Sequence, residues 1–385
     1  MSKYLNVFNT LAEYQAFSAS TEYVQPNVAL VKETNTLYYD YGDNKPHPNY
    51  TDYKVSSRSL VSDGGNTYGL NEKLCLNYIP SSVTSLESAF SGWTSLEEVT
   101  CEIPNSVTSM TSTFDSCSSL VKAPNIPGSV TSLPSTFYGC SSLVNVPNIP
   151  DSVTSLPSTF DSCTSLVNAP EIPNSVTNMA ATFNACSSLV NVPNIPGSVT
   201  SLSSTFNGCT SLVNVPNIPD SVTNIDFTFG SCTSLVNAPE IPSGVTNMSG
   251  TFNACSSLVN APVIPSGVTN MSYTFRNCTG LVTALEIPSG VTSLDATFQG
   301  CTSLVNAPEI PSGVTNLYYT FSGCTSLKEV TFLHTTPPKY YNTLSGCSKL
   351  KTIYVPDSAV SAYKTATGWS QFASEIKPLS KKPSE

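Results

Sequence analysis

A unit of 23 residues recurs through most of this chain, and this repeat constrains the fold more than any other feature of the sequence. Phenylalanine takes the same place in ten consecutive units, from Phe114 to Phe321. Phe90 precedes this series by 24 residues, and Leu344 follows it at the next place. Tandem units of this length predict a stack in which each unit buries its apolar side chains against its neighbours.

The apolar residues of one unit are spaced three or four residues apart, a spacing that alone would indicate an amphipathic helix. They are Phe114, Cys117, Leu120, Ala123, Ile126, Val130 and Leu133. Prolines at the places of Pro124 and Pro127 recur in most units and exclude a helix, because proline lacks an N–H donor and clashes inside one. Each unit is therefore predicted to form a coil with an extended segment, a turn, a second short strand near residues 130–133, and a tight helical turn between Phe and Cys.

The predicted fold class is a repeat solenoid of the leucine-rich-repeat type, mainly short β-strands and turns, over residues 68–354. At the spacing of neighbouring strands, about eleven coils would extend on the order of 50 Å. The ends differ from the middle. We expect a small N-terminal α+β domain with an arm at residues 1–67, a C-terminal helical cap at 355–376 and a disordered tail at 377–385.

Local patterns give more detail at the two ends. Thr10 is the predicted cap of a short helix in the N-terminal domain. The segments 27–31 and 36–41 flank a polar turn and predict a β-hairpin. After Pro356, a short helix followed by aromatic residues is expected to close the core.

Charge excludes several classes of ligand. The chain carries a net charge of −10, and the only basic residues between Ile103 and Leu327 are Lys122 and Arg276. Nucleic acids and anionic membranes both attract basic surfaces, so neither is expected as a partner. No apolar run is long enough for a secretory signal or a membrane span, so we expect synthesis in the cytoplasm without membrane insertion.

Eleven of the 13 cysteines lie at one position of the repeat, from Cys117 to Cys347. Zinc would need about four converging ligands, whereas a straight ladder offers one or two neighbours. Disulfides between adjacent coils are sterically conceivable, but an odd number of cysteines cannot pair completely. The favoured interpretation is a row of small, buried, reduced thiols that fill space in the core.

The sequence carries no pattern of a catalytic site. Its two histidines, His47 and His334, lie in the arm and near the last coil, and nothing indicates a nucleophile beside them. Asp115 and Asp161 occupy a position that other coils fill with Tyr or Asn, which is typical of a solvated face. We therefore predict a binding or scaffolding protein with no catalytic residue, no cofactor and no metal.

An asparagine row is the first surface feature that would suit a ligand. Asn recurs at the place of Asn145, and Asn or Glu recurs three residues later, at the place of Asn148. Stacked amides that satisfy one another are the favoured explanation. A hydrogen-bonding strip for a glycan is the alternative.

Large side chains in the later coils are the second such feature, because most coils carry Ser, Ala or Gly two residues before the phenylalanine. The candidate ligand contacts are Phe227, Tyr273, Arg276, Tyr318 and Tyr319. Exposed aromatic residues beside an arginine are typical of contact hot spots. Ordinary surface scatter, or cover for the end of the stack, explains them equally well.

The repeat resembles the BspA-like leucine-rich repeats of bacterial surface proteins. The matching signature is Ile-Pro-x-Ser-Val-Thr-x-Leu/Met-x-x-Thr-Phe-x-x-Cys-x-Ser-Leu, as in Ile126 to Leu143, and the resemblance covers residues 70–376. It implies a solenoid that acts as an adhesin or binding surface and not as an enzyme. The chain departs from the family in its second proline, at the place of Pro124, and in the missing export signal.

The N-terminal block is similar to leader domains of structural proteins from phages that infect gut Bacteroides-type bacteria, through the runs 14–17 and 24–30. This similarity implies a phage virion protein of fibre or decoration type, in which the N-terminal block contacts other virion proteins. The solenoid would then bind a glycan or protein of the host surface or the intestine. A structural spacer in the virion and a bacterial cell-surface adhesin are the alternatives.

Overall fold

The structure, a computed structural model, describes strand segments in the N-terminal block and then residues 74–79, 83–283 and 286–383. The chain divides into two compact units, an N-terminal unit, Met1–Val176, and a C-terminal unit, Thr177–Glu385. This division falls inside the repeat region. Within the described ranges, no helix has the length and apolar character needed to cross a bilayer.

The coils meet along two rows of parallel β-bridges, which confirms the predicted repeat solenoid. One row runs through residues such as Asn237 and Asn260, and the other through residues such as Ser132 and Ser155. The strand predicted at residues 130–133 is wrong, since only Ser132 forms a bridge there. The reason is that a tight turn begins two residues later and leaves no room for a longer strand.

A tight turn lies at the Phe–Cys step of each coil, as predicted. The N–H of Cys117 donates to the carbonyl oxygen of Phe114 at 3.0 Å, and the N–H of Leu120 donates to that of Cys117 at 3.0 Å. The N–H of Phe114 donates to Thr136 of the next coil at 2.9 Å. Turns and neighbouring coils thus satisfy backbone polar groups that would otherwise be buried unpaired.

The phenylalanines of the repeat form the centre of the core. In the N-terminal unit the rings of Phe114 and Phe137 stack with centroids 5.5 Å apart, and in the C-terminal unit those of Phe298 and Phe321 stack at 5.4 Å. All four side chains are buried. Because full burial of one Phe side chain stabilises a fold by about 1.5–3 kcal/mol, these rings supply much of the stability of each unit.

A fully buried threonine precedes each of these phenylalanines, although the apolar pattern did not predict it. The hydroxyl of Thr136 donates to the carbonyl oxygen of Met110 in the preceding coil at 2.9 Å, and that of Thr228 donates to Leu202 at 2.8 Å. The threonine hydroxyls are therefore buried without leaving a donor unpaired.

The described N-terminal strands join the sheet formed by the first coils of the N-terminal unit. The strands are β1 (Lys3–Phe8), β2 (Asn27–Val31), β3 (Thr36–Tyr39), β4 (His47–Pro48), β5 (Leu74–Tyr78) and β6 (Leu96–Val99), in the order β4-β3-β2-β1-β5-β6. β2 and β3 pair in antiparallel fashion, which confirms the predicted hairpin. β1 pairs in parallel with β5, so backbone hydrogen bonding crosses the predicted boundary at residue 67. The helix predicted at Thr10 lies outside the described residues.

The last coils of the C-terminal unit end in a parallel sheet of four strands. The elements are β7 (Asn306–Ile310), β8 (Glu329–Phe332), β9 (Thr352–Val355), a 3₁₀-helix (Asp357–Ala359), α1 (Val360–Thr365), a 3₁₀-helix (Ser370–Phe372), β10 (Ile376–Pro378) and a 3₁₀-helix (Leu379–Lys381). Trp369 is fully buried and packs edge-on against Phe332 with centroids 5.0 Å apart. The short helices thus lie beside the apolar end of the sheet.

The prediction of a disordered tail from residue 377 is wrong for the residues that the structure describes. β10 pairs with β9 and covers the edge of the sheet. The N–H of Ser380 donates to Oδ1 of Asp357 at 3.0 Å, and Nζ of Lys382 lies 2.8 Å from Oε1 of Glu309. The composition misled the prediction because lysine and proline are also typical of edge strands.

Candidate ligand-binding surface

Three of the candidate contacts occupy one position of the coil, two residues before the core phenylalanine. Together with the smaller residues between them they form the turn row of the C-terminal unit, which consists of Phe227, Gly250, Tyr273, Ala296 and Tyr319. Large and small side chains alternate along this row, so that an aromatic residue occurs at every second coil.

An asparagine three residues earlier shapes the turns that carry the aromatic residues. Oδ1 of Asn224 accepts the N–H of Asp226 at 3.0 Å, and Oδ1 of Asn316 accepts the N–H of Tyr318 at 3.2 Å. Asparagine favours such turns because its side chain reaches the backbone two residues ahead. The chain therefore turns sharply just before the turn row.

The backbone of the turn row adopts the left-handed conformation, with φ of 52° at Phe227, 60° at Tyr273 and 52° at Tyr319. This conformation costs a residue with a β-carbon about 1–2 kcal/mol, and bulky residues rarely adopt it. The N-terminal unit carries serine at this position, for example Ser112 and Ser135. The same position is left-handed in the other coils as well, where smaller residues fill it, so an aromatic residue is the costlier choice at this turn.

Hydrogen bonds between coils fix the backbone of the turn row. The N–H of Phe227 donates to Ser249 at 2.9 Å, and the N–H of Tyr273 donates to Asp295 at 2.8 Å. Every residue of the row donates in the same way to the next coil. Successive aromatic residues are therefore held at intervals of about 10 Å, which is two strand spacings.

The ring of Phe227 lies over Gly250 of the next coil. A β-carbon at Gly250 would collide with three carbons of this ring, and the φ of Gly250 is 61°. Phe227 nevertheless keeps 38% of its surface exposed. The glycine accommodates the ring, and the ring remains available to a ligand.

Tyr273 and Arg276 come together in the structure. The guanidinium carbon of Arg276 lies 5.9 Å from the centroid of the Tyr273 ring, within the range of a cation–π interaction. Nε of Arg276 donates to Oε1 of Gln299 at 2.8 Å. The hydroxyl of Tyr273 donates to Oδ2 of Asp295 at 3.2 Å, and the negative charge of Asp295 raises the pKa of this tyrosine. The sequence pattern missed Gln299 and Asp295, which lie one coil away and are found only when the repeats are aligned.

Tyr318 precedes the turn row by one residue and contacts a different neighbour from the other candidates. Its ring packs edge-on against Tyr341, with centroids 4.0 Å apart, and Nζ of Lys339 lies 4.4 Å from the centroid of Tyr341. Tyr318 and Tyr319 are both exposed. Lys339 and Tyr341 thus extend the aromatic surface beyond the residues that the sequence predicted.

Oδ1 of Asp226 and Oδ1 of Asn253 lie in the coils of Phe227 and Gly250. Both oxygens are buried and have no hydrogen-bond partner among the described residues. Asp226 directly precedes Phe227, and burial raises the pKa of its carboxyl group. Buried polar atoms of proteins are usually paired. Both oxygens therefore lie beneath the surface and are not contact groups for a ligand.

The cysteine row is structural. Sγ of Cys209 contacts the carbonyl oxygen of Phe183 at 3.2 Å, and Sγ of Cys232 contacts that of Phe206 at 3.1 Å. Burial raises the pKa of Cys255 to about 12. Each cysteine from Cys101 to Cys347 lies outside any disulfide in the structure, and the reduced state of the row stays a prediction. Within the same residues, no three His, Cys, Asp or Glu side chains converge as metal ligands would.

The residues weighed as catalytic groups lie in structural contacts. His334 is buried, with Nε2 at 2.7 Å from the carbonyl oxygen of Val314. The carboxylates of Asp115 and Asp161 accept hydrogen bonds from the serines that follow them, Ser116 and Ser162. Each of these three groups contacts its own neighbours, and among the described residues none of these contacts joins a nucleophile to a base.

The asparagine row lies on the surface of both units. Asn145 and Asn148 are exposed in the N-terminal unit, and in the C-terminal unit the hydroxyl of Thr283 donates to Oδ1 of Asn260 at 3.3 Å. A row of exposed valines runs beside it, for example Val144. The row accordingly combines local hydrogen bonding with access to solvent, and it lacks the strained backbone of the turn row.

Comparisons with known proteins agree on the type of repeat. The family model described as BspA type leucine rich repeat region matches residues 71–190, 180–305 and 249–370, which together cover more than half of the chain. No curated protein shows a significant match to this sequence.

Several solved structures of bacterial repeat proteins are similar to this chain. A leucine rich cell surface protein from Faecalibacterium prausnitzii is 24% identical with a TM-score of 0.49, over 87% of this chain and 97% of that protein. A leucine-rich repeat protein from Bacteroides ovatus is 24% identical with a TM-score of 0.49, over 80% and 92% of the two chains. The pneumococcal vaccine antigen PcpA is 13% identical with a TM-score of 0.46, over 80% and 78%. On the strength of the family model, whose matches run from residue 71 to residue 370, this chain belongs to the BspA-type leucine-rich repeat family.

Proposed function

We propose that this chain is a non-enzymatic adhesion protein that binds its ligand through the turn row of its C-terminal unit, with Arg276 and Tyr318 beside it. The observation that carries the proposal is the placement of Phe227, Tyr273 and Tyr319 in left-handed turns. Large aromatic rings on a fixed backbone offer contact area at a low cost in conformational entropy. Membership of a repeat family of binding surfaces supports the same class of function.

The carrier that we propose is a phage virion, in which the N-terminal block contacts other virion proteins and the repeats face the host surface or intestinal material. The similarity of the N-terminal block to phage leader domains supports this placement. A bacterial cell surface is the alternative carrier, and the family assignment supports it. Mass spectrometry of purified phage particles and of a bacterial surface fraction separates the two, because the chain should be enriched in only one of them.

The adhesive function is tested by binding of the full chain to bacterial cells and to intestinal mucus. The triple variant Phe227→Ser/Tyr273→Ser/Tyr319→Ser should lose most of the binding. Serine is the residue that the N-terminal unit carries at this position, so the variant should fold. The matched control is Tyr138→Asp, which removes an exposed tyrosine of the N-terminal unit at a place where other coils carry aspartate.

Two outcomes would count against the proposal. Equal binding by the triple variant and the wild-type chain would remove the turn row as the contact surface. Failure of the wild-type chain to bind either material would favour the alternative of a structural spacer without a ligand.

A further inference from the structure

We infer that the turn row binds an extended, uncharged, β-linked polysaccharide, with one sugar ring stacked on each of Phe227, Tyr273 and Tyr319. The inference rests on the proposed adhesive function and names the class of its ligand. Four features of the surface carry it: its period, its alternation of sizes, its polar flanks and its backbone hydrogen bonding.

The period of the turn row suits a polymer with a regular repeat. The aromatic residues occur at every second coil, and two strand spacings amount to about 10 Å. This length is close to that of two pyranose units in an extended β-linked chain. A polysaccharide of this kind presents the same ring face at each interval, so it would meet Phe227, Tyr273 and Tyr319 in one register.

The small residues between the aromatic residues maintain this period. The ring of Phe227 occupies the place of a side chain at Gly250, and Ala296 is 2% exposed. A side chain at Gly250 would collide with the Phe227 ring of the preceding coil, so the residue between these two aromatic positions has to be glycine. The interval between the rings is therefore set by packing within the C-terminal unit and does not depend on a flexible loop.

The polar flanks of the row suit hydroxyl groups. Asp295 and Gln299 already act as acceptors for Tyr273 and Arg276. A sugar hydroxyl both donates and accepts, so it suits this mixture of carboxylate, amide and guanidinium groups. No single sign of charge dominates these flanks, which favours an uncharged polymer over a uronic-acid or sulfated chain.

The backbone hydrogen bonding of the row disfavours a peptide ligand. An added peptide strand needs a sheet edge with unpaired N–H and C=O groups. The N–H groups of Phe227, Tyr273 and Tyr319 all donate to the next coil. The net charge of −10 disfavours nucleic acid, the other common ligand of exposed aromatic rows.

The test is calorimetric titration of the full chain with β-linked gluco- and manno-oligosaccharides of two, four and six units, and affinity electrophoresis in gels that contain glucomannan or xylan. Affinity should rise by about tenfold or more from the shortest to the longest oligosaccharide, because each added stretch reaches a further ring. Phe227→Ser and Tyr319→Ser should each lower the affinity for the six-unit chain, and Tyr138→Asp should not. Polymannuronate, which is β-linked like the neutral polymers, serves as the charged control polymer.

Periodate treatment of the bound cells or mucus separates this inference from the broader function, because periodate cleaves vicinal diols of sugars. Loss of binding after treatment, together with weak binding of the triple variant, supports a glycan ligand. Binding that survives treatment would overturn the glycan inference and leave adhesion to a protein. Absence of binding before treatment would overturn the adhesive function itself. Thermal melting of every variant shows whether a loss of binding reflects a loss of folding.

Discussion

The ring of Phe227 occupies the space into which a side chain at Gly250 would point. A β-carbon at Gly250 would collide with three carbons of that ring, although the two residues are separated by a full repeat in the sequence. The large residue of one coil and the missing side chain of the next are therefore one structural feature. The residue that follows Tyr273 in the same row, Ala296, is also small and is buried.

Gly250→Ala tests this relation directly. We expect the free energy of unfolding to fall by about 1–3 kcal/mol, because the added β-carbon meets the Phe227 ring in a left-handed turn. In a Phe227→Ser background the loss should shrink to the cost of the left-handed conformation, about 1 kcal/mol. Urea unfolding of the two single variants, the double variant and the wild-type chain gives the coupling between the sites.

Gly197→Ala is the matched control, because no atom lies within 4 Å of a β-carbon at that residue and its φ is not positive. It should leave stability unchanged or raise it slightly by restricting the unfolded chain. An equal loss for Gly250→Ala with and without the Phe227 ring would show that the ring and the glycine are independent.

Thr228→Val should weaken the hydrogen-bonded interior of the C-terminal unit. The side chain is fully buried, and its hydroxyl donates to the carbonyl oxygen of Leu202 at 2.8 Å. Valine keeps the shape but removes the donor, so we expect a loss of about 0.5–1.5 kcal/mol in urea unfolding. Thr223→Val, at an exposed position of the same coil, is the control and should be close to neutral. Similar losses at both sites would contradict a specific role of the buried hydroxyl.

The buried thiols should make the fold sensitive to alkaline pH. Burial raises the pKa of Cys140, Cys255 and Cys301 to about 12, whereas a thiol of the unfolded chain titrates near about 8.5. The stability that the neutral thiols contribute is complete below the unfolded pKa. It is lost as the pH rises above it, since the unfolded chain then releases protons that the folded chain retains.

Thermal melting in reducing buffer should therefore show a melting temperature that falls between about pH 8 and about pH 9.5. The double variant Cys255→Ala/Cys301→Ala should have a shallower dependence in this range, because it has two fewer buried thiols to titrate. A slope that is the same in the double variant and the wild-type chain would argue against the thiols as its cause.

The spacing of Phe114 and its equivalents was enough to predict the stacked coils, because apolar side chains with this period can be buried only against neighbouring copies. The fully buried row that includes Thr136 was not predicted, because a threonine is buried without cost only where its hydroxyl has an acceptor. The acceptor here is a carbonyl oxygen of the preceding coil, which only the folded structure places beside it. The recurrence of threonine before each phenylalanine from Phe114 to Phe321 was the signal in the sequence that pointed to this row. Strand β10 was missed because it pairs with the edge strand β9, and this edge exists only once the C-terminal unit has folded.

The candidate contacts were recognisable from the sequence as departures from the repeat, but their geometry was not. The left-handed backbone of Tyr273 results from a turn whose hydrogen bonds run to the next coil. The partners Asp295 and Gln299 likewise depend on the register between coils. The sequence was therefore enough to identify these side chains. The left-handed backbone that carries them and the interval between their rings could be seen only in the stacked structure.

His334 makes the end of the C-terminal unit sensitive to acid. Nε2 lies 2.7 Å from the carbonyl oxygen of Val314, so this nitrogen must carry the proton that is donated. Nδ1 is buried and has no hydrogen-bond partner among the described residues, so a second proton there would place a charge in the interior. Burial accordingly lowers the pKa of His334 below its ordinary value.

A histidine with a lowered pKa stabilises the fold fully above the unfolded pKa of about 6.5, because both states are then neutral. As the pH falls below this value the unfolded chain binds a proton that the folded chain resists, so the free energy of unfolding decreases. We expect the melting temperature to fall from about pH 7 to about pH 5.5, and His334→Gln to remove this part of the dependence while keeping a donor for Val314. If the glutamine variant retained the whole slope between these two values, the carboxylates would have to account for it, and the buried Nδ1 of His334 would have no part in the acid response.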